Sequence, residues 1–171
     1  LEDLINEFFD ITRYNLKDVV LEKSMVDFSF MMDQIIYEFK PLLIEKNLTM
    51  NSNIESGIKI NIDTNKIERV VDNIIRNAIN YSFKDSIIDI CVSKSEELVN
   101  IIIKNNGPTI PSEKLAHIFD EFFRLDPSRS SETGNAGLGL AIAKSIVTAH
   151  GGTIDAKSED DIIEMSVKLP I

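Results

Sequence analysis

The stretch GNAGLGLAIAK at residues 134–144 says most about the fold. Gly134, Gly137 and Gly139 lead into a segment with the composition of a helix, which is expected to run from about Gly137 to His150. Unpaired backbone amides at a helix N-terminus can donate hydrogen bonds to phosphate oxygens, and the helix dipole favours the negative charge of the phosphate. A flexible loop before a well-packed helix is the alternative, but it does not explain why the glycines continue into the helix.

A long amphipathic helix is predicted upstream of this stretch, with Asp63 or Thr64 as its N-cap. Its apolar residues repeat at helical spacing and predict a core face: Ile67, Val70, Val71, Ile74, Ile75, Ala78 and Ile79. Asn73 and Asn77 lie four residues apart, so two amides share one face and can point at one ligand. Magnesium prefers oxygen ligands, which an amide carbonyl supplies. Taken alone, the pair is also compatible with two solvated surface amides.

A second polar motif, KNNGPTI at residues 104–110, lies between the long helix and the glycine-rich stretch at 134–144. Asn105 is expected at the end of a strand, and Gly107 in the tight turn that follows. The amide oxygen of Asn105 can accept the exocyclic amino hydrogen of adenine, while Gly107 would let the backbone approach the base. A simple Asn-Gly turn between a strand and a helix is the alternative for this motif in isolation.

The remaining pattern mixes helices with antiparallel hairpins and lacks repeated strand-helix-strand units. This order predicts an α+β two-layer sandwich with a mixed, mainly antiparallel sheet. Ser29 is expected to cap a helix that runs towards Asn47 and bends at Pro41. Two hairpins are predicted, 48–54 with 58–62 and 86–94 with 98–105, and the last two strands are expected at 153–157 and 162–169.

Composition excludes some functional classes. A net charge of −10 repels a polyanion, and no basic patch is visible, so nucleic acid is not an expected partner. The one cysteine, Cys91, stands in an apolar run and is expected in the core. No apolar stretch approaches the roughly 20 residues that cross a bilayer, so the fragment is expected to be soluble.

Together, and in this order, the Asn73–Asn77 pair and the two glycine turns resemble the N box and the two glycine boxes of the Bergerat-type ATPase superfamily. IFDEFFRLD at 118–126 looks like the phenylalanine box of its histidine-kinase branch. Within that branch the chain is most similar to the VanS-type sensors of glycopeptide resistance. The strings that carry this likeness are DITRYNL at 10–16, SIIDI at 86–90 and FFRLDPSRSSETG at 122–134.

The resemblance implies three segments. Residues 1–20 would be the C-terminal part of the second helix of a dimerisation and phosphotransfer domain, 21–28 a linker, and 29–171 the ATP-binding catalytic domain. The longer protein would be a homodimeric sensor with a membrane anchor outside this fragment, which would be its cytoplasmic portion. Its partners would be its own upstream phosphoacceptor domain and a response regulator.

The resemblance also implies roles for single residues. Asn77 would coordinate Mg²⁺ beside ATP, with Asn73 positioning the metal or the γ-phosphate, and Arg124 would face the terminal phosphate. Arg129 is a weaker candidate on a lid expected at 125–136. Other nucleotide contacts are expected from Tyr81, Asn105, Gly107, Ile110, Gly137, Leu138, Gly139 and Leu140.

Three positions depart from the family pattern. Asn105 replaces a frequent aspartate, which keeps an acceptor oxygen but removes a charge. Asn80 stands where a lysine is common, and Lys84 is a hypothetical substitute for that charge. Asn135 stands where a second glycine is frequent, which should stiffen the lid slightly.

The implied reaction passes the γ-phosphoryl group of ATP to a histidine upstream of Leu1, and then to an aspartate of a response regulator. Neither His117 nor His150 lies in the sequence context of the acceptor, so both are expected to be structural. Two alternatives stay open: another Bergerat-type enzyme, such as a serine kinase, and a degenerate interaction module without catalysis.

Overall fold

The structure is a computed structural model that describes residues 19–125 and 137–171. Most of the predicted dimerisation helix and most of the predicted lid therefore lie outside the described residues. The described strands are β1 (Ser24–Asp27), β2 (Thr49–Ile54), β3 (Lys59–Ile62), β4 (Ile87–Lys94), β5 (Leu98–Asn106), β6 (Thr153–Glu159) and β7 (Ile162–Pro170). The described helices are α1 (Phe28–Glu38), α2 (Lys40–Lys46), α3 (Thr64–Tyr81), α4 (Ser112–Leu115) and α5 (Gly139–Ala149).

Five of the strands form one mixed sheet in the order β2-β4-β5-β7-β6. The β2 and β4 strands are parallel, and the other three neighbouring pairs are antiparallel. A separate two-stranded ribbon pairs β1 with β3. The predicted α+β class with a mainly antiparallel sheet is confirmed.

One face of the sheet packs against the helices. On β5, Val99, Ile101 and Ile103 are buried and alternate with more exposed residues, as expected for a strand with one face on the core. The apolar face predicted for α3 is buried, and α5 lies beside it. Among residues 19–125 and 137–171, no helix is long and apolar enough to cross a membrane.

The N-terminal caps of the helices follow short-range chemistry. Asp63 caps α3, because its carboxylate accepts the amide hydrogen of Lys66 at 3.2 Å. The prediction of a Ser29 cap is wrong: Asp27 caps α1 by accepting from the Phe30 amide at 3.0 Å. The Ser29 hydroxyl is buried and instead accepts from the Ile58 amide at 2.9 Å.

The helix predicted from Ser29 towards Asn47 is interrupted rather than bent. It ends at Glu38 as α1 and restarts at Lys40 as α2, with Pro41 in the first turn of α2.

The first predicted hairpin is also wrong. Residues 49–54 and 59–62 are strands, but β2 pairs in parallel with β4, while β3 pairs with β1. Alternating apolar residues predict a strand and its buried face, yet they do not identify the partner strand. The second hairpin, β4 with β5, is confirmed. The β1 strand falls within the predicted linker 21–28.

Cys91 is not in the core. It is half-buried on β4, between the buried residues Ile90 and Val92. Because side chains alternate between the two faces of a strand, Cys91 points away from the helices. The apolar run around it misled the prediction, because outward-facing Ile87 is apolar as well.

Candidate functional site

A cleft opens where the second half of α3, the end of β5 and the start of α5 meet. The residues that line it are Asn77, Ala78, Asn80, Tyr81, Asn105, Ile110, Ile118, Phe123, Arg124, Leu125, Gly137, Gly139, Leu140, Ile163 and Met165. The three sequence motifs therefore converge on one cleft, although each comes from a different element.

The helix α3 contributes amides to the cleft, but the two asparagines of the predicted pair have different surroundings. Asn77 lines the cleft and is half-buried. Asn73 does not line it, because its side-chain NH₂ donates to the carbonyl oxygen of Gly139 at 2.9 Å. Asn73 thus ties α3 to the first residue of α5 and holds the two helices in register at the cleft.

Asn105 is the polar residue of the inward-facing row of β5, after Val99, Ile101 and Ile103. It is 4% exposed and lines the cleft, and its buried Nδ2 atom has no hydrogen-bond partner among residues 19–125 and 137–171. An unpaired buried donor costs about 1–3 kcal/mol, so few such groups persist in proteins without a function. The amide lies where β5 ends at the wall of the cleft, beside the Gly107 turn.

Gly107 is required by packing rather than by the lining of the cleft. A Cβ atom added there would overlap the carbonyl oxygen of Tyr81 at the end of α3. Two backbone hydrogen bonds hold the turn. The Gly107 amide donates to the Asp161 carbonyl oxygen at 3.0 Å, and the Phe83 amide donates to the Asn106 carbonyl oxygen at 2.7 Å. Gly107 therefore lets the end of β5 lie directly against the helix that carries Asn77.

The N-terminus of α5 faces the cleft without a side-chain cap. Leu138 occupies the N-cap position, and its hydrocarbon side chain cannot accept a hydrogen bond, so within residues 19–125 and 137–171 the first-turn amides have no side-chain cap. Gly137 has a φ angle of +79°, and a Cβ there would lie 2.7 Å from the carbonyl oxygen of Phe123. Free amides at a helix N-terminus suit an anion. Leu140 lines the cleft, whereas Leu138 is buried in the core.

The cationic side of the cleft is Arg124. Its side chain is half-buried and packs beside Gly137, 3.1 Å from where a Cβ atom would be. Ile110 also lines the cleft, and its amide donates to the Ser158 hydroxyl at 2.8 Å. The second predicted arginine, Arg129, lies outside the described residues.

Sequence reasoning predicted Ile110 and Leu140 but missed most of the apolar residues of the cleft, and it named Asn80 only as the position of an absent lysine. Ala78, Ile118, Phe123, Leu125, Ile163 and Met165 line the cleft, together with Asn80. Apolar residues at helix or strand spacing resemble ordinary core, so their pattern does not separate a ligand surface from packing. The alternation of Ile163 and Met165 with polar residues was the available signal in the sequence, because it indicates an inward-facing row. The structure places Ile163 opposite Asn105 in the sheet.

A polar cluster lies at the opposite end of the α3–α5 pair. The buried carboxylate of Asp63 accepts from the Lys66 ammonium and from the Glu22 amide, each at 2.9 Å. The Asp63 amide donates to Nε2 of His150 at 3.1 Å, and Nδ1 of His150 donates to the Ile146 carbonyl at 2.8 Å. His150 therefore links the end of α5 to the start of α3.

The surroundings shift the pKa of both residues downward. Burial raises the pKa of Asp63, but the hydrogen bonds from Lys66 and Glu22 and the Lys66 charge outweigh it and lower the pKa. Burial lowers the pKa of His150, with the Lys23 and Lys66 charges, against the opposing effects of the Ile146 carbonyl and Asp63. A neutral His150 fits its hydrogen bonds, since Nε2 acts as an acceptor.

The chemistry of the cleft fits a nucleoside phosphate. Apolar side chains can cover a flat base, the Asn105 amide can pair with its edge, and the α5 amides with Arg124 can bind phosphate oxygens. Among residues 19–125 and 137–171, no group of three His, Cys, Asp or Glu is placed to hold a metal. A cation here would therefore rest on phosphate oxygens and an amide such as that of Asn77.

Residues 62–171 match the family described as histidine kinase-, DNA gyrase B- and HSP90-like ATPases. The chain belongs to this ATPase family. The matched region covers most of the described chain and includes every element that lines the cleft. An ATP-binding family agrees with the chemistry of the cleft.

Two curated relatives of this ATPase chain are sensor proteins of enterococci. It is 47% identical to sensor protein VanSC of Enterococcus gallinarum over 99% of its own length and 47% of the relative. It is 46% identical to sensor protein VanS of Enterococcus faecium over 99% of its length and 44% of the relative. The chain thus spans about half the length of these relatives, and the predicted likeness to VanS-type sensors is confirmed.

The fold of this ATPase also has solved counterparts. Histidine kinase ThkA, in complex with response regulator protein TrrA, superposes with a TM-score of 0.80 and 23% sequence identity. The match covers 99% of this chain and 47% of the ThkA chain. At this identity the likeness concerns the fold alone.

Proposed function

We propose that this chain is the ATP-binding catalytic part of a two-component sensor histidine kinase that acts in glycopeptide resistance signalling. It would bind Mg-ATP and donate the γ-phosphoryl group to a histidine of an upstream domain, from which a response regulator receives it. The support is the family membership, the 46–47% identity to two Van sensors, and the ThkA fold, which was solved with a response regulator.

One observation carries the proposal. Asn77 of α3, Asn105 of β5 and Gly139 of α5 line a single cleft, although 62 residues of sequence separate the first from the last. Phosphoryl transfer asks a protein mainly to position the nucleotide and to neutralise charge, rather than to form covalent bonds. The residues of this cleft are suited to both tasks.

When bound, Mg-ATP supplies the phosphoryl group, and the chain supplies the orientation. In this proposal Asn77 holds the metal, Asn105 pairs with the base, and Tyr81 flanks the nucleotide. Arg124 and the first-turn amides of α5, from Gly139 and Leu140, bind phosphate oxygens. Asn73 acts indirectly, because its hydrogen bond to Gly139 fixes the position of those amides.

Magnesium-dependent binding of a fluorescent ATP analogue tests this function directly. We expect saturable binding that is lost when magnesium is chelated, and a loss of at least about tenfold in affinity in Asn77→Ala. Asn65→Ala is the matched control, because Asn65 is exposed in the first turn of the same helix, away from the cleft. Equal affinities of the two variants would contradict the role of Asn77.

A phosphotransfer assay separates the kinase from its two alternatives. The 171-residue chain alone should bind ATP yet acquire no radiolabel from γ-labelled ATP. Restoring the upstream helix and adding a response regulator should produce labelled histidine and then labelled aspartate. Label on serine would identify a serine kinase, and nucleotide binding without any transfer would identify an interaction module.

A further inference from the structure

We infer that Asp161 is a positioning residue for the nucleotide: it holds the segment 107–110 where the last residue of that segment, Ile110, lines the cleft. Asp161 does not line the cleft itself, and it acts through Thr109, which lies 52 positions earlier in the sequence. The inference rests on the proposed function, since it concerns how the same cleft is kept ready for Mg-ATP.

Asp161 and Thr109 are joined by reciprocal hydrogen bonds. Oδ1 of Asp161 accepts from the Thr109 hydroxyl at 3.2 Å and from the Thr109 amide at 3.3 Å. The Thr109 hydroxyl in turn accepts from the Asp161 amide at 2.8 Å. A hydroxyl can donate one hydrogen bond and accept others at the same time, so the three bonds can exist together. The side chain of each residue therefore holds the backbone of the other.

Two further hydrogen bonds connect this pair to the wall of the cleft. The Gly107 amide donates to the Asp161 carbonyl oxygen at 3.0 Å, and the Ile110 amide donates to the Ser158 hydroxyl at 2.8 Å. The β6–β7 hairpin thus holds the segment 107–110 on one side, while the start of the segment packs against the end of α3. Ile110 is 7% exposed and lines the cleft. A segment that left the hairpin would therefore move part of the cleft wall.

Local turn chemistry does not account for an aspartate at position 161. Two residues, Asp160 and Asp161, join β6 to β7, and their φ angles are +49° and +58°. A two-residue turn with two positive φ angles favours glycine at its second position, because glycine has no Cβ atom. Asp161 occupies that second position. The carboxylate is therefore unfavourable for the turn relative to glycine, and the hydrogen bonds to Thr109 are what it contributes.

A segment that is held in place binds a nucleotide more tightly than a segment that moves. The apparent dissociation constant rises as the arrangement that is competent for binding becomes less populated. Oδ1 of Asp161 supplies two hydrogen bonds at an exposed position, each of modest net strength. Their loss should therefore weaken binding without unfolding the hairpin, because the backbone bond from Gly107 to Asp161 remains.

Asp161→Gly in the 171-residue chain tests the inference, because it separates binding from folding. Glycine suits the positive φ angle and removes Oδ1, so the melting temperature of the nucleotide-free chain should stay within about 4 °C of the native value. The dissociation constant of a fluorescent ATP analogue with magnesium should rise about three- to tenfold. A rise of less than about twofold overturns the inference.

Amide hydrogen exchange gives a second measurement, which decides the case even if the variant melts earlier. Exchange at the Ile110 amide should be faster in Asp161→Gly than in the native chain, because the segment is released. Exchange at Ile101, in the middle of β5, should be unchanged. Equal acceleration at both amides would mean that the whole fold is loosened, and it overturns the positioning role.

Asp160→Gly is the matched control, because it makes the same change one residue earlier and removes the same charge. The Asp160 side chain has no hydrogen bond among residues 19–125 and 137–171, so this variant should bind the analogue as the native chain does. Asp161→Asn should also keep the native affinity, since its amide oxygen can still accept from Thr109 and asparagine tolerates a positive φ angle. A loss in either variant as large as that in Asp161→Gly overturns the inference.

Failure of this inference can be told apart from failure of the proposed function. If the native chain binds the analogue with magnesium and Asp161→Gly binds it equally well, only the inference about Asp161 fails. If the native chain does not bind the analogue at all, the proposed function itself fails, and the positioning role fails with it.

Discussion

The two ends of the α3–α5 helix pair both bury polar side chains, but they treat them differently. At the start of α3, Asp63 and His150 are 3% and 4% exposed, and each has its hydrogen-bond partners within the fold. At the other end, about 20 Å away along α3, Asn105 is equally buried, and its Nδ2 donor has no partner in the described part of the chain. The first end stabilises the structure, whereas the second leaves a buried donor at the wall of the cleft.

This difference teaches how to separate structural from functional polar residues where both are buried. A satisfied group contributes to the free energy of unfolding, and its removal destabilises the protein. An unsatisfied group lowers that free energy, so its replacement by an apolar residue stabilises the protein and removes binding. The two ends should therefore respond to mutation with opposite signs.

The largest effect is expected from Asp63→Ala. The change removes the α3 cap, the anchor of the Glu22 amide and the partner of Lys66, and we expect a loss of about 3–5 kcal/mol in the free energy of unfolding. Urea denaturation measures it. Asp63→Asn is the control, because an amide can still cap the helix and should lose less. ATP affinity at a temperature where the variant is folded should be nearly unchanged.

Gly107→Ala should come next, and it tests whether the cleft end also has a structural component. The added methyl group would overlap the Tyr81 carbonyl, so the turn must move away from α3, at a cost of roughly 1–3 kcal/mol. Gly139→Ala is the comparison, since its Cβ would lie 3.3 Å from Oδ1 of Asn73, a contact that a small shift relieves. Thermal unfolding of both variants gives the ranking, and equal melting temperatures would contradict the packing argument.

Asn105→Leu should raise the free energy of unfolding, whereas Asp63→Ala and Gly107→Ala should lower it. Leucine has a similar size and no unpaired donor, so the nucleotide-free protein should gain about 1 kcal/mol in stability. The same variant should lose the upward shift in melting temperature that Mg-ATP gives the native chain. A destabilised apo protein would mean that Asn105 belongs to the structure, as Asp63 does.

The smallest effect concerns His150 and pH. Its folded-state pKa is lowered, so the unfolded chain takes up a proton first as the pH falls below about 6.5. Stability is full above that pH and declines below it until the folded-state pKa is reached, by at most about 1.4 kcal/mol per pH unit. His150→Gln removes this titration. Unfolding curves between about pH 7.5 and pH 5.5 should show a shallower pH dependence in the variant than in the native chain.

The same pH series reports on Asp63 in the acid range. Because its folded-state pKa is lowered, its contribution is complete above the unfolded value of about 3.9 and is lost as the pH falls through the folded value. The Asp63→Asn variant removes that loss. It also removes the Asp63 charge that raises the pKa of His150, so the decline caused by His150 should extend to lower pH in this variant. The contribution of Asp63 is therefore read in the acid range, below about pH 4, where the two curves should differ most.

The sequence alone determined the local structure and the identity of the site. Apolar spacing predicts α3, α5 and the β4–β5 hairpin, and Asp63 and the glycines predict where helices begin. Asn77, Tyr81, Asn105, Ile110, Arg124, Gly137, Gly139 and Leu140 were predicted as site residues and all line one cleft. The helices and the hairpin depend on neighbours within a few residues, which the sequence displays directly, whereas the roles of the site residues follow from the resemblance to a known family.

Tertiary structure decided the partners. It pairs β2 with β4 and β3 with β1, directs Asn73 to Gly139 and packs Gly107 against Tyr81. It also gives Nδ2 of Asn105 no partner among the described residues. Each of these contacts joins residues that are 26 or more positions apart, and the lack of a partner for Nδ2 also depends on how distant segments pack around it. Local sequence propensity does not predict which distant residues come into contact, because the energy of such a contact arises only when the two segments are packed together.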